Sequence, residues 1–255
     1  MPTGAEGGEG VRSVVRALEL LALFDGTHRS RSVRELTDAT GLPKSTVVRL
    51  VTTLEQNGLL WTSTNGRLTP GAGLLRWAQL AHDAWQLPPE AVECLRALSS
   101  ESGGESSRIY VRQGLSRLCV AQHEGTQQLR HVVRIGEAMP LWAGASGHVL
   151  LAGCSAKELH RAAMAAARGP EFESALAERV DRAAAQDWAV SHGEREHGVS
   201  AVAAPITDPD GRIVAAVGLG GPTSRFTAEN VAAFLPALSR AATRLSELRF
   251  IGGGS

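Results

Sequence analysis

The stretch from Gly41 to Leu60 carries side chains suited to binding a nucleic acid. Its apolar residues recur at positions i, i+3, i+4 and i+7, so a helix here would bury one face. The opposite face has two cations, four hydroxyls, one methyl-bearing side chain and no carboxylate: Lys44, Ser45, Thr46, Val48, Arg49, Thr52 and Thr53. Such groups contact phosphates and base edges. We therefore predict a DNA-recognition helix in which all of these except Thr53 face the major groove.

A second group of reactive side chains, from His192 to His197, has two His and two carboxylates within six residues. They could bind a metal ion. We expect no metal, because Gly193 interrupts the segment and it falls at a predicted strand-to-loop junction, not on a helix. Ser146 lacks the spacing of a nucleophile elbow, and no acid is placed to orient a base. We predict no catalytic residue and no cofactor, and keep as the alternative a small-molecule-binding enzyme or metal sensor with an incidental helix-turn-helix.

The recognition helix has recognisable start and stop signals. Pro43 suits a first helical position, and Asn57-Gly58 suits a helix end. Upstream, Ser32-Val33-Arg34-Glu35 fits a capping box that begins a short helix running to about Thr40. Gly41-Leu42 would form the turn between the two helices. A short helix, a tight turn and a second helix is the helix-turn-helix arrangement.

Two further elements complete the predicted N-terminal module. Asn65-Gly66 lies between short β-rich segments, which is a strong hairpin signal. This hairpin would be a wing, on which Arg67 contacts the DNA backbone. Apolar residues then continue at helical spacing until Pro88-Pro89, which predicts a linker helix whose tryptophans pack against a second subunit or the next domain. We expect a homodimer or a dimer of dimers that binds a pseudo-palindromic operator.

From residue 88 onward, strands occur in clusters with helices between them. The predicted strands are 107–113, 117–122, 128–135, 188–190, 198–207 and 212–219. The predicted helices are 91–100, 146–152, 156–167, 174–187 and 227–250. Asp208-Pro209-Asp210-Gly211 predicts a tight turn between the last two strands. This pattern is typical of an α+β domain, with helices covering an antiparallel sheet.

Composition and charge fit two modules. The chain has 255 residues, 43% of them hydrophobic and with no net charge. Residues 11–80 contain nine Lys or Arg against five Asp or Glu, and the remainder 17 against 21. This asymmetry indicates an N-terminal nucleic-acid module. We delimit a winged helix-turn-helix domain at 11–70, a linker helix at 71–87 and an effector domain at 88–250.

The ends and the cysteines carry further expectations. No apolar run is long enough to span a membrane, and the Gly-rich start lacks the regions of a signal peptide, so we expect a cytoplasmic protein. We expect disordered tails at 1–10 and 252–255. The three cysteines are widely spaced and without a C-x-x-C pair, which indicates neither a disulfide framework nor a zinc ribbon.

Four blocks resemble the IclR family of bacterial transcription regulators, in the family's order. They are Gly41–Val47 with Arg49-Leu50 and Leu54-Glu55; Pro140-Leu141 with Gly147–Ala152; Trp188–Ser191 with Glu194 and Gly198–Ile206; and Gly221-Pro222 with Arg225-Phe226. The resemblance implies a winged helix-turn-helix domain, a linker helix and a GAF-like domain that binds a small metabolite. It also implies dimers or dimers of dimers that repress or activate nearby genes, and we favour a repressor.

The same resemblance places the effector pocket. Positions that hydrogen-bond small organic acids in some members are Ser191, Ala201, Gly218 and Gly220 here, and Ala145-Ser146 match a backbone-amide position. Trp142 stands where many members have His. Since three of these positions have no polar side chain, the effector should be more apolar than such acids, and is expected to be an aromatic or apolar acid that stacks on Trp142.

Overall fold

The computed structural model describes residues 11–249. Both predicted tails, and Phe250 at the end of the predicted closing helix, lie outside that range. The chain forms two compact units that divide between Gln86 and Leu87. Among the described residues, no helix combines the length and the apolar character that crossing a membrane requires.

The N-terminal unit is a helix-turn-helix with a two-stranded wing, as predicted. Its elements are α1 (Arg12–Leu21), α2 (Val33–Thr40), α3 (Lys44–Gln56), β1 (Leu60–Thr62), β2 (Leu68–Pro70) and α4 (Gly73–Ala84). The two strands pair antiparallel, with Trp61 opposite Thr69. One small core joins these elements through buried side chains of α1, α2, α3 and both strands: Leu20, Leu36, Val47, Val51, Leu54, Leu60 and Leu68.

Local sequence signals explain the ends of α2 and α3. Ser32 Oγ accepts the N–H of Glu35 at 3.2 Å, and the Glu35 carboxylate accepts the N–H of Ser32 at 2.5 Å, which completes the predicted capping box. Gly41 ends α2 in the left-handed conformation, at φ +64°, where a side chain would be strained. Pro43 caps α3 and Asn57 ends it, close to the predicted bounds.

The C-terminal unit is an antiparallel sheet with helices on both faces. Its helices are α5 (Pro89–Glu101), α6 (Ala145–Ala152), α7 (Ala156–Ala165), α8 (Pro170–Gln186) and α9 (Ala228–Leu248). Its strands are β3 (Ser106–Gln113), β4 (Ser116–His123), β5 (Ala138–Pro140), β6 (Ala189–His192), β7 (Val199–Thr207) and β8 (Ile213–Pro222). They lie in the order β5-β4-β3-β8-β7-β6. The predicted α+β architecture is confirmed.

Alternation along the central strands separates two cores. Ile109 and Val217 belong to a cluster with side chains of α5 and α9, whereas Tyr110 and Ala216 belong to a cluster with side chains of α6 and α8. Successive side chains of a strand point to opposite faces, so apolar residues at consecutive positions serve both layers. The Asp208 carboxylate accepts the N–H groups of Asp210 and Arg212, which forms the predicted turn between β7 and β8.

The strand predicted at 128–135 is wrong. That segment is a loop, and the sheet edge beside β4 is instead occupied by β5, where Arg117 pairs with Met139. In the loop, Val133 is buried, while Leu129, Val132 and Ile135 are exposed. A single residue of the segment, Val133, therefore packs into the core, and the other apolar residues do not form the buried face of a strand.

Candidate DNA-binding surface and effector cavity

The outward face of α3 presents the side chains predicted for DNA contact. Lys44, Ser45, Val48, Arg49 and Thr52 are exposed and Thr46 is half-buried. The opposite face of the helix is buried in the N-terminal core. Neither cation is in an ion pair within residues 11–249, so both charges are available to an anionic partner. A rigid helix with this exposed face can enter a major groove.

Arg67 is held within the N-terminal unit in the free protein. Its Nε donates to Ser30 Oγ at 2.9 Å, and its Nη2 donates to the Ser30 carbonyl at 2.8 Å and to Glu35 Oε2 at 3.2 Å. The guanidinium thus ties the wing to the start of α2 and does not point outward as a free cation. The sequence could not show this, because the partners lie 32 and 37 residues away.

Six of the seven residues expected at the effector pocket line a single cavity of about 50 Å³ in the C-terminal unit. They are Ala145, Ser146, Ser191, Ala201, Gly218 and Gly220. The cavity lies between the start of α6 and the strands β3, β7 and β8. The cavity is therefore large enough for a small polar guest, since a single water needs only ~10–15 Å³.

Trp142 is not among the lining residues, contrary to the expectation. Its ring packs edge-to-face on Phe172, with centroids 5.9 Å apart, and the Arg168 guanidinium lies 4.7 Å from its centroid. The indole therefore packs against Phe172 of α8 and against Arg168, which precedes that helix. It offers no stacking surface to a ligand in the cavity.

The glycines of β8 leave little free space beside them. A Cβ on Gly218 would lie 2.6 Å from the Val202 carbonyl oxygen, so the neighbouring strand already fills that space. A Cβ on Gly220 would lie 3.4 Å from Arg108 Nη1 and 3.8 Å from His131 Nδ1. The backbone of Gly220 therefore allows the close approach of charged and polar groups.

The cavity is also lined by charged side chains that were not expected at the pocket. They are Arg108, Arg117, His131, Glu194 and Arg195. Arg108 and Arg117 are only 3% and 4% exposed. A signal existed for Arg108, because it occupies an inward position of β3, two residues from the buried Tyr110. Burying a cation costs free energy, so a cation at an inward position of a strand indicates a functional site.

The first two amides of α6 are occupied by groups of the chain itself. The N–H of Gly144 donates to Glu194 Oε2 at 2.8 Å, and the N–H of Ala145 donates to Ser191 Oγ at 2.9 Å. His148 Nε2 lies 3.1 Å from the same carboxylate. Burial acts to raise the pKa of Glu194, but His148, the Gly144 N–H and Arg179 together bring it below its usual value. Glu194 is thus a resident anion at a helix N-terminus.

The cationic groups influence one another. Burial, helped by the charges of Arg195, Arg108 and Arg117, lowers the pKa of His131 to about 4. Burial likewise lowers the pKa of Arg117 to about 10, which leaves it charged at neutral pH. His131 is therefore neutral and the guanidiniums are charged near pH 7.

The His192–His197 segment forms no metal centre. The His192 ring shares a hydrogen bond of 2.9 Å with Ser200 Oγ, and Glu194 faces the α6 N-terminus. Within residues 11–249, no cluster of three or more His, Cys, Asp or Glu side chains could hold a metal ion.

Comparison with known proteins covers both units. The family described as "IclR helix-turn-helix domain" matches residues 13–62, and "Bacterial transcriptional regulator IclR C-terminal" matches residues 81–247. The chain is 29% identical to the HTH-type transcriptional regulator KipR of Bacillus subtilis, over 92% of this chain and 96% of the relative. It is 28% identical to the transcriptional repressor IclR of Escherichia coli, over 92% of this chain and 89% of the relative.

A crystal structure of an IclR-family transcriptional regulator from Rhodococcus sp. is also similar. It has 41% sequence identity and a TM-score of 0.63, and the alignment covers 97% of each chain. Both the recognition helix and the cavity therefore lie in the aligned region.

Proposed function

Because the chain belongs to the IclR family, and is thus a DNA-binding transcriptional regulator with an effector-binding C-terminal domain, we propose that α3 reads its operator in the major groove. The contacts are made by Lys44, Ser45, Thr46, Val48, Arg49 and Thr52. The observation that carries this proposal is the exposed face of α3, which has two unpaired cations within the described residues and no carboxylate. Family members regulate transcription, so the alternative of an enzyme or metal sensor is set aside.

Arg49→Ala tests this assignment on binding of the operator DNA, with the operator selected from a random pool. If Arg49 contacts a phosphate, affinity should fall for all sequences and the slope of log K against log salt should flatten by about one unit. If it reads a base, the loss should be ~1–3 kcal/mol and confined to one position of the site. The matched control is Arg244→Ala, an exposed arginine of α9 in the other unit. Unchanged affinity and salt slope in Arg49→Ala would refute the assignment.

The wing has a supporting role in this proposal. Arg67 holds the hairpin against α2 through Ser30 and Glu35. A contact of Arg67 with the DNA backbone would need its guanidinium to exchange these partners for a phosphate. We therefore assign Arg67 to positioning the wing in the free protein. Arg67 contacts the DNA backbone only after its guanidinium has exchanged Ser30 and Glu35 for a phosphate.

We propose that the protein acts as a homodimer on a pseudo-palindromic operator. One helix in one groove recognises too few base pairs for useful specificity, and two-fold symmetry would place half-sites roughly 34–36 Å apart, or a multiple of that. Exposed apolar side chains on two helices of the N-terminal unit support this proposal. They are Val14, Val15 and Leu18 on α1 and Leu75, Trp77 and Leu80 on α4. A dimer of dimers would extend the same principle.

We propose that the regulator represses its genes in the cytoplasm and that a small acid in the cavity alters its DNA affinity. The aromatic acid expected from the sequence is disfavoured by a cavity of about 50 Å³ that Trp142 does not line. A ligand changes DNA affinity only if it binds two arrangements of the protein differently, an effect typically worth ~1–3 kcal/mol. Operator binding with and without small acids tests the coupling, and a reporter gene gives its sign.

A further inference from the structure

Two of the three arginines that line the cavity have no carboxylate partner among the described residues. The third, Arg195, lies 3.6 Å from both Glu137 and Glu196. Arg108 and Arg117 are almost fully buried, and within residues 11–249 neither is in an ion pair with a carboxylate. The one carboxylate among the lining residues, Glu194, lies with His148 and the start of α6. A buried cation without a matching anion is strongly unfavourable. Such an arrangement indicates that an anion completes the site.

The two buried guanidiniums differ in how their donors are used. Arg117 Nη1 donates to the carbonyls of Pro140 and Ala143, so this side chain fastens the segment that leads into α6. Arg108 makes one hydrogen bond, from Nη2 to the His131 carbonyl, and its Nε is buried without a partner. Arg108 therefore has donors to spare, and it lines the cavity beside Gly220.

The usual anion position at the start of a helix is not free. The first two amides of α6 bind Glu194 and Ser191, and a ligand carboxylate placed there would meet the Glu194 charge. The opposite part of the lining contains Arg108, Arg195 and the neutral ring of His131, which contacts Arg195. Arg108 attracts an incoming anion to this part of the cavity, whereas the Glu194 charge disfavours one at the start of α6.

We propose that Arg108, assisted by Arg195, forms an anion site that binds the carboxylate of a small aliphatic acid. The proposal rests on the function proposed for this cavity and names the class of its effector. A guanidinium forms strong, charge-assisted hydrogen bonds to a carboxylate, and Nη1 of Arg108, which makes no hydrogen bond within the described residues and lies beside Gly220 of the cavity lining, can donate one. A cavity of about 50 Å³ favours a small acid over a bulky one. The hydroxyls of Ser191 and Ser200 and the ring of Tyr110 line the rest of the cavity.

The test uses the full-length protein and measures binding by calorimetry and thermal shift. The probes are acetate, lactate and pyruvate, the neutral lactamide as an uncharged match for lactate, benzoate for size, and inorganic phosphate for charge alone. At least one aliphatic acid should bind, while lactamide, benzoate and phosphate should not. Arg108→Gln should weaken binding of that acid by at least about tenfold, since the substitution removes a charged hydrogen-bonding partner.

The matched control is Arg112→Gln, on the same strand but paired with Glu158 outside the cavity lining. It should bind the acid as the wild type does. The ligand-free Arg108→Gln protein should melt no lower than the wild type, because the substitution removes an uncompensated buried charge. A lower melting temperature would instead show that Arg108 serves the fold and would overturn the proposal.

The remaining outcomes separate this inference from the function proposed for the cavity. If lactamide binds and alters operator affinity, or if Arg108→Gln binds the acid normally, the anion site is wrong and the effector site stands. If benzoate binds and alters operator affinity, the restriction to small aliphatic acids is wrong. If phosphate binds as tightly as the acids, the assignment to carboxylates is wrong. If no probe binds and operator affinity never responds, both the anion site and the small-acid effector are refuted.

Discussion

At the scale of single residues, burial decides what each charge can do. Lys44 and Arg49 are exposed on α3, so their charges interact with partners through solvent and salt. Arg108 is buried, so its guanidinium must be matched by a nearby anion or remain costly. In the proposed functions, an exposed cation attracts DNA from a distance, and a buried cation recognises one small anion.

His131 should make the protein less stable in mild acid. Its pKa is about 4 in the folded protein and near 6.5 when unfolded, so the unfolded chain binds more protons between these values. The free energy of unfolding should then fall as the pH drops from 6.5 towards 4, by on the order of 2 kcal/mol from this residue. Glu196, 3.7 Å from the ring, acts in the opposite direction and keeps the effect modest.

Chemical denaturation at pH 7 and at pH 4.5 measures this effect. His131→Gln should lose less stability than the wild type over that interval. His160→Gln is the control, because that exposed ring pairs with Glu173 and its removal should not reduce the loss. An identical loss in the wild type and in His131→Gln would contradict the assignment.

At the scale of elements, caps and turns set where each helix begins. The Ser32–Glu35 capping box begins α2, and the same carboxylate also binds Arg67 of the wing. A second capping box, formed by Ser155 and Glu158, begins α7 and binds Arg112 of β3. In both units, one glutamate thus links the start of a helix to a neighbouring element.

Ser32→Ala should destabilise α2 by about 1 kcal/mol, because it leaves the N–H of Glu35 without its acceptor. Hydrogen–deuterium exchange should show faster exchange of the α2 amides and unchanged exchange in α7. Ser155→Ala is the matched variant, and it should give the reverse pattern. Faster exchange spread evenly over both units would count against a local capping effect.

At the scale of the whole molecule, the N-terminal unit has an accessible apolar surface on α1 and α4. Trp77 on α4 is 59% exposed, and other apolar side chains of α1 and α4 are similarly accessible. Patches of this kind mark interaction sites in soluble proteins. The proposed homodimer gives them a partner and also supplies the second recognition helix.

Trp77→Asp should therefore shift the protein from dimer to monomer, because a buried carboxylate in the interface would be unpaired. Analytical ultracentrifugation at micromolar concentration measures the shift, and operator affinity should fall with it. Met164→Asp, an equally exposed apolar residue of α7, is the control and should leave the dimer intact. A wild-type protein that sediments as a monomer with and without DNA would refute the dimer.

The sequence alone determined the features that depend on neighbouring residues. The capping box of α2, the turn at Gly41, the extent of α3 and the Asp208 turn each involve residues within a few positions of one another. The apolar face of α3 also followed from its period, because helical geometry converts spacing into direction. The family resemblance added the place of the cavity, although not its chemistry.

Only the tertiary structure decided which distant side chains meet. Arg108 and Gly220 adjoin because β3 pairs with β8, and the pairing register cannot be read from either strand alone. Segment 128–135 has apolar residues like those of a strand, but it forms a loop, and β5 pairs with the start of β4 instead. Trp142 packs on Phe172, and Arg67 on Glu35, because long-range packing brought those partners within reach. Local spacing sets the direction in which a side chain points, whereas the fold determines which groups it meets. The charge of the cavity depends on the fold.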